Sequence, residues 1–278
     1  MVIDAHHHFW NYSREEHGWI DDSMAVLRRS FGPADLKREI DAAGVDGVVS
    51  VQARQSLAET DWLLEFAARN PFMRGVVGWV PLCDPSVDAL LDSYAAAPRL
   101  RGVRHVLQDE PDDRFMLRSD FRRGLGAVQR HNLVYDILIF SRHLPHAAPL
   151  VDEFPGITFV LDHVAKPPLR SGDLTAWARH LTELAKRPNV ACKFSGLVTE
   201  ADHASWTDVQ IERVFDITLE AFGPKRLLFG SDWPVCLVAS GYRRWVSLVR
   251  KVVARLTPAE QADVLGGNAV RIYRLPAP

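Results

Sequence analysis

The sequence predicts an α/β fold, a (β/α)8 TIM-type barrel built as a single domain over residues 1–278. Two observations carry that prediction. Eight short apolar, β-branched runs begin near positions 2, 45, 73, 100, 133, 157, 189 and 226, and helical patterns fill the intervals between them. The intervals of 24 to 43 residues bracket a βαβ unit, which takes roughly 30 residues. A third observation separates a closed barrel from an open doubly wound sheet. The open sheet carries a glycine-rich phosphate turn after its first strand. Here the first strand, "VIDAHHHF", ends in histidines and aromatics instead.

The remaining strands read "VDGVVSVQA", "MRGVVGWVPL", "LRGVRHVL", "LVYDILI", "ITFVLDHVA", "NVACKFSG" and "RLLFGSD". Several are apolar on both alternating faces, as a parallel sheet covered on both sides requires. Between them, "FGPADLKREIDAAG" places Leu36, Ile40 and Ala43 on one helical face, with Pro33 at the start and Gly44 at the stop. "SVDALLDSY" repeats the pattern with Val87, Leu90, Leu91 and Tyr94, and "SDFRRGLGAVQ" with Phe121, Leu125 and Val128. "TPAE", Thr257 to Glu260, is a capping box with proline at the first helical position. Residues 11–32 form the widest irregular stretch and are expected to loop over one end of the barrel.

The totals exclude several classes. Lysine and arginine number 33 against 35 aspartates and glutamates, a formal net charge of −2 without long like-charge runs, so nucleic acid and membrane surfaces are not expected partners. No apolar stretch approaches the ~18 residues of a membrane span. Cys83, Cys192 and Cys236 are scattered and odd in number, which argues against a disulfide scaffold and for a reducing, cytoplasmic setting.

Barrel active sites lie where the C-terminal ends of the strands meet, so polar residues closing the strands are the candidates. On β-strand alternation His6 and His8 share one face, His7 takes the other, and Asp4 falls with His6 and His8. The H-x-H spacing suits a divalent metal, and His7 is then structural. "LDHVAKP" closes the sixth strand with Asp162 and His163, "CKFSG" the seventh with Lys193, and "LFGSDWP" the eighth with Asp232. Gln52, Arg104 and His105 follow the second and fourth strands and could hold a substrate carboxylate or hydroxyl, with Lys193 as a further cation. Trp10 and Trp233, with Trp79, lie near strand ends, where an aromatic face serves either packing or stacking on a bound ring. Surface positions are expected for His131, His143, His146 and His180, and neither Cys83 nor Cys192 has an evident base.

A first strand reading D-A-H-x-H, a later strand ending in D-H and a last strand ending in G-S-D-x-P form the pattern of the amidohydrolase superfamily. "DAHHHFW", "LDHVAKP" and "LFGSDWP" resemble most closely its branch of sugar-acid lactonases, the fuconolactonase and rhamnonolactonase-like, amidohydrolase-related proteins. The resemblance runs from Asp4 to the final "GGNAVRIY". It implies hydrolysis of a small sugar lactone, with His6 and His8 as a metal pair, His163 as a metal ligand or carbonyl-polarising group, and Asp232 as general base and further ligand. The implied cofactor is one divalent ion, zinc in first place. Metal-dependent relatives carry a histidine on the fifth strand, where this chain offers Tyr135 and Asp136, so the ion is expected to be weakly held or dispensable. Amide hydrolysis or metal-dependent decarboxylation on the same barrel is the second reading, and a non-catalytic sugar-acid binding protein the third.

Overall fold

The computed structural model describes residues 1–276. Eight parallel strands follow one another around a nearly closed barrel in sequence order. They are β1 (Ile3–His7), β2 (Gly47–Val51), β3 (Met73–Gly78), β4 (Leu100–His105), β5 (Val134–Ile137), β6 (Phe159–Leu161), β7 (Val190–Phe194) and β8 (Leu227–Phe229). Every strand starts within two residues of its expected position. The ring closes at its upper edge, where Asp232 N–H donates to His6 O at 2.8 Å and His8 N–H to Trp233 O at 2.7 Å.

The helices are α1 (Pro33–Ala43), α2 (Leu57–Arg69), α3 (Val87–Ser93), α4 (Ser119–Arg130), α5 (Leu144–Glu153), α6 (Thr175–Ala185), α7 (Leu197–Glu200), α8 (Asp208–Phe222), α9 (Tyr242–Val253), α10 (Pro258–Ala262) and α11 (Asn268–Ile272). The local signals act where they were expected. Gly44 takes the left-handed conformation that stops α1, and Thr257 and Glu260 exchange capping bonds at the start of α10. The helices lay their apolar stripes on the outer face of the strands. Leu36 and Ile40 of α1 and Phe121, Leu125 and Val128 of α4 are fully buried there.

The barrel interior is a separate, smaller core. Val49, Val51, Val77, Val134, Val160, Ala191 and Leu228 fill it, and Tyr273, just past α11, enters from the N-terminal end. The apolar lower layers put the polar layer at the C-terminal mouth, where chemistry sits in this architecture. Residues 11–32 cross that mouth as expected, but they are not wholly irregular. A 3-10 segment covers Asp22–Leu27, and the stretch is pinned by mutual backbone bonds between Trp10 and Phe31. No helix among the described residues is long and apolar enough to cross a membrane.

One expectation fails outside the site. His143 is buried, not at the surface. Its Nε2 lies 2.8 Å from Asp113 Oδ1 and its Nδ1 accepts from Phe140 N–H at 3.1 Å. It caps the turn after β5 and reaches Asp113 in the segment between β4 and α4, so a polar residue found a partner in the neighbouring loop. His131, His146 and His180 are half-buried on the outer layer.

Candidate active site

Alternation alone would send His6 and Asp4 to the same side of β1. They point to opposite sides. Asp4 pairs with Val48 and His7 with Ser50, so three steps on β1 match two on β2. The extra residue is a β-bulge, a device that re-aims side chains beside functional sites. Ile3 and Ala5 face the barrel interior. Beyond the bulge His6 and His8 turn inward too, whereas Asp4 and His7 face outward. Asp4 therefore leaves the site. Its Oδ1 accepts from His6 N–H at 3.1 Å and Ser231 N–H at 2.8 Å, and its Oδ2 from Tyr242 O–H at 3.1 Å. It ties β1 to the segment after β8. Burial raises its carboxyl to about 6 against these bonds. His7 is structural, with Nε2 2.7 Å from Ser50 Oγ and its ring 4.5 Å from that of Phe9.

At the top of the barrel three imidazoles and one carboxylate meet. His6 Nε2 and His8 Nε2 are 3.1 Å apart. Asp232 Oδ1 lies 3.4 Å from His8 Nε2, 3.8 Å from His6 Nε2 and 3.9 Å from His163 Nε2. His8 Nδ1–H donates to Val51 O at 2.8 Å, which leaves its Nε2 lone pair facing the cluster. His163 Nδ1 lies 2.9 Å from Ser195 Oγ. Burial holds the His163 imidazole down to about 4 and His6 well below its usual value, so both are neutral near pH 7. Burial pushes Asp232 the other way. The His163 and His8 rings and the Lys166 ammonium outweigh that effect and keep the carboxyl below its ordinary 3.8. The result is an ionised carboxylate beside two neutral imidazoles, His6 and His163.

Below this cluster lies a charged floor. Lys193 Nζ donates to Asp136 Oδ2 at 2.5 Å and lies 2.9 Å from Asp162 Oδ1 and 3.3 Å from His6 Nδ1. Arg104 Nη1 donates to Asp162 Oδ2 at 3.0 Å. Tyr273 O–H reaches Asp136 Oδ1 at 2.8 Å from the N-terminal end. Two cations thus balance two carboxylates in a fully buried layer, the condition for charges to persist away from water.

A cavity of about 370 Å³ opens above the cluster. Of the residues expected to bind substrate, Trp10 and Arg104 line it together with His8, His163 and Asp232. Arg104 is already occupied, because its Nη2 donates to Gln52 Oε1 at 3.0 Å and to the Gln52 carbonyl. Gln52 and Lys193 are fully buried and do not reach the cavity. His105 turns aside, bonded at 2.6 Å to Glu110 and stacked on Phe115. Trp233 packs against Phe31 and Phe9. These four positions are corrections, and they share a cause. A polar or aromatic group at a strand end satisfies itself with the nearest buried partner, and only the closed barrel shows which partner that is. The walls instead include Gln108, Phe140, Lys166 and Glu200, together with Trp19 from the 11–32 stretch. Lys166 sits inside the quoted "LDHVAKP" motif, so a signal for it existed; no pattern pointed to Glu200 or Gln108.

The amidohydrolase family model matches residues 3–275. The chain belongs to the amidohydrolase family. Among curated relatives, it is 42% identical to a protein named L-fucono-1,5-lactonase of Burkholderia multivorans, over 100% of this chain and 97% of that protein. It is 25% identical to an L-rhamnono-gamma-lactonase of Scheffersomyces stipitis, over 77% of this chain and 74% of that one. A crystal structure of a Burkholderia multivorans amidohydrolase with bound zinc superposes with a TM-score of 0.96 at 41% identity, covering 99% of this chain and 100% of that chain.

In this amidohydrolase the donor set fits a divalent ion. The ligand atoms of His6, His8 and Asp232 all lie within 4.8 Å of one another. The 3.1 Å between the two Nε2 atoms is close to the spacing of about 3.3 Å that two nitrogens on one tetrahedral ion would show. His8 already presents a lone pair, and its other nitrogen is held by a backbone carbonyl, the usual support for a metal-binding imidazole.

The position of Gly196 makes a prediction about this amidohydrolase. Its φ is +65°, and a Cβ there would lie 2.4 Å from His163 Nδ1 and 3.1 Å from Asp232 Oδ2. Gly196→Ala displaces both groups. A loss of activity of about 100-fold is expected, the scale of a 1 Å misplacement, and it is read from steady-state kinetics on whichever lactone the wild type opens best.

Proposed function

We propose that this amidohydrolase hydrolyses a sugar-acid lactone, such as L-fuconolactone, to its open-chain acid. The carrying observation is the Asp232 carboxylate lining the cavity, with Oδ1 3.4 to 3.9 Å from the Nε2 atoms of His8, His6 and His163 and its carboxyl held below the ordinary 3.8. The full-length likeness to proteins named as lactonases supports the reading. A water beside Asp232 attacks the lactone carbonyl and its proton passes to the carboxylate. The tetrahedral intermediate then collapses, the ring C–O bond breaks, and the same proton passes from Asp232 to the departing ring oxygen. Atoms and charge balance with water as the one added reactant. A lactone is an activated ester, so one well-placed base and polar groups for the oxyanion suffice.

His6, His8 and Asp232 would hold zinc, with His163 beside them. Zinc supplies Lewis acidity to the carbonyl and a more acidic water. Titration calorimetry is expected to give one zinc site per chain, and His8→Asn is expected to abolish the heat. An unchanged isotherm in that variant would remove His8 from the ligand set.

The sign of the pH dependence follows from the same group. Asp232 acts as base only when ionised, and its neighbours hold its pKa below 3.8. Its function is therefore present at neutral pH and lost as pH falls through that depressed value. kcat/KM should stay level from pH 7 down to about 4 on this account; an acid limb centred near 6 would assign the base elsewhere. The reaction itself is tested with a panel of aldonolactones read by a pH indicator, and absence of turnover on every member would refute it. Near-neutral charge and three unpaired cysteines support a cytoplasmic, single-domain enzyme acting on a small molecule, with no nucleic acid partner.

A further inference from the structure

Lys166 and Glu200 are charged, mostly enclosed and without hydrogen-bond partners for their side chains among the described residues. Their side chains are 17% and 21% exposed, and both line the cavity. The ammonium and the carboxylate approach only to 3.6 Å, longer than the 2.7–2.9 Å of a charge-assisted hydrogen bond. Both side chains line the cavity, and at this spacing neither meets the hydrogen-bonding capacity of the other. Gln108 adds a buried Oε1 with no partner in the same wall. A trio of this kind is costly unless something polar enters to satisfy it.

The backbone under Lys166 points the same way. Residues 163–166 have φ values of +53°, +52°, +55° and +51°, a left-handed turn of four residues without a glycine. Each costs about 1–2 kcal/mol in L-residues, and Val164 is β-branched, the type least suited to it. The turn is over-determined by its surroundings: Lys166 N–H donates to His163 O at 2.8 Å and Trp177 Nε1–H to Val164 O at 2.8 Å. Strain of this size persists at sites where it orients something. What it orients is His163 toward Asp232, and Lys166, three residues on, toward Glu200 beside it in the cavity wall.

We infer that Lys166 and Glu200 form a hydroxyl-recognition clamp, set beside the reacting centre, that selects polyhydroxylated lactones over bare ones. Lys166 donates to one sugar oxygen. Glu200, at the C-terminal end of α7, accepts from the neighbouring hydroxyl, and Gln108 completes the contact from the loop after β4. The apolar Phe140 ring, 5.0 Å from Lys166 Nζ, holds the ammonium against the wall and leaves its donors forward. The clamp rests on the proposed lactone chemistry but makes a separate claim, because it concerns the substituents and not the ester.

The test compares L-fucono-1,5-lactone with δ-valerolactone, the same six-membered lactone ring without its hydroxyl and methyl substituents, in wild type, Lys166→Met and Glu200→Gln. The ratio of kcat/KM values for the two lactones should fall on the order of 100-fold in each variant, as when a charged group's hydrogen bond to a neutral partner is lost. Lys166→Arg and Glu200→Asp should recover part of it. A ratio within threefold of wild type, including an equal loss on both lactones, overturns the clamp. Reading the variants separately, with thermal midpoints alongside, keeps the test alive if one of them fails to fold. Calorimetry of L-fuconate against 5-hydroxyvalerate gives a readout without turnover. If wild type opens neither lactone, the hydrolase reading fails, and the same variants then decide the clamp by whether L-fuconate binding weakens. Absence of L-fuconate binding by wild type overturns it.

Discussion

Asp232→Asn is expected to lower kcat for lactone opening by about 10³-fold, within the 10²–10⁴ that a positioned general base contributes. The amide keeps the size of the carboxylate and cannot take the proton from water. Burial suppresses the basicity of His163, held near 4, and of His6, well below its ordinary value, so neither is poised to replace it. The fold should survive, because the backbone N–H of residue 232, not its carboxylate, closes the barrel on His6 O. Stopped-flow pH-indicator assays and a thermal melt check both parts. Lactone opening at an undiminished rate would remove Asp232 from the mechanism.

Lys193→Met is expected to carry the largest stability effect, about 3–5 kcal/mol, the usual result of removing one partner of a buried ionic group. Lys193 is wholly enclosed and faces Asp136, Asp162 and His6 together. Its loss leaves Arg104 and the Tyr273 hydroxyl to hold two carboxylates in a dry layer. Burial already lifts the Asp136 carboxyl to about 6 despite the ammonium beside it. Without Lys193 burial would push that carboxyl further up. Urea unfolding monitored by tryptophan fluorescence measures the change; a loss under 1 kcal/mol would mean that water or a rearranged Arg104 takes over the role. The same variant should also disturb His6, which sits directly on this floor.

Much of this molecule could be read along the chain. The eight strands announce themselves because a barrel strand covered on both faces is largely apolar apart from the polar groups of the floor and the mouth, a property that three to six adjacent residues display. Helix ends were legible for the same local reason, as with Gly44 and the Thr257–Glu260 box. His6, His8, His163 and Asp232 stood out as polar residues ending apolar strands, and the structure gathers them around one point. Lys193, Gln52, His105 and Trp233 carried the same signal and went elsewhere. A strand-end polar group faces either the cavity, the barrel floor or a neighbouring loop, and residue type does not distinguish among them.

The sequence by itself determined the barrel, the order of its strands and the set of imidazoles and carboxylates gathered at one end. Those features follow from periodicity and from the desolvation cost of polar atoms, which act over a few residues at a time. Only the tertiary structure decided that a bulge in β1 turns His6 inward and Asp4 outward. It also decided that Lys193 neutralises the floor and lies outside the cavity lining, and that Lys166 and Glu200 lie side by side in the cavity wall. Those outcomes depend on register and on ring closure between β1 and the segment after β8, more than two hundred residues apart, where a one-residue shift reverses which face every side chain takes.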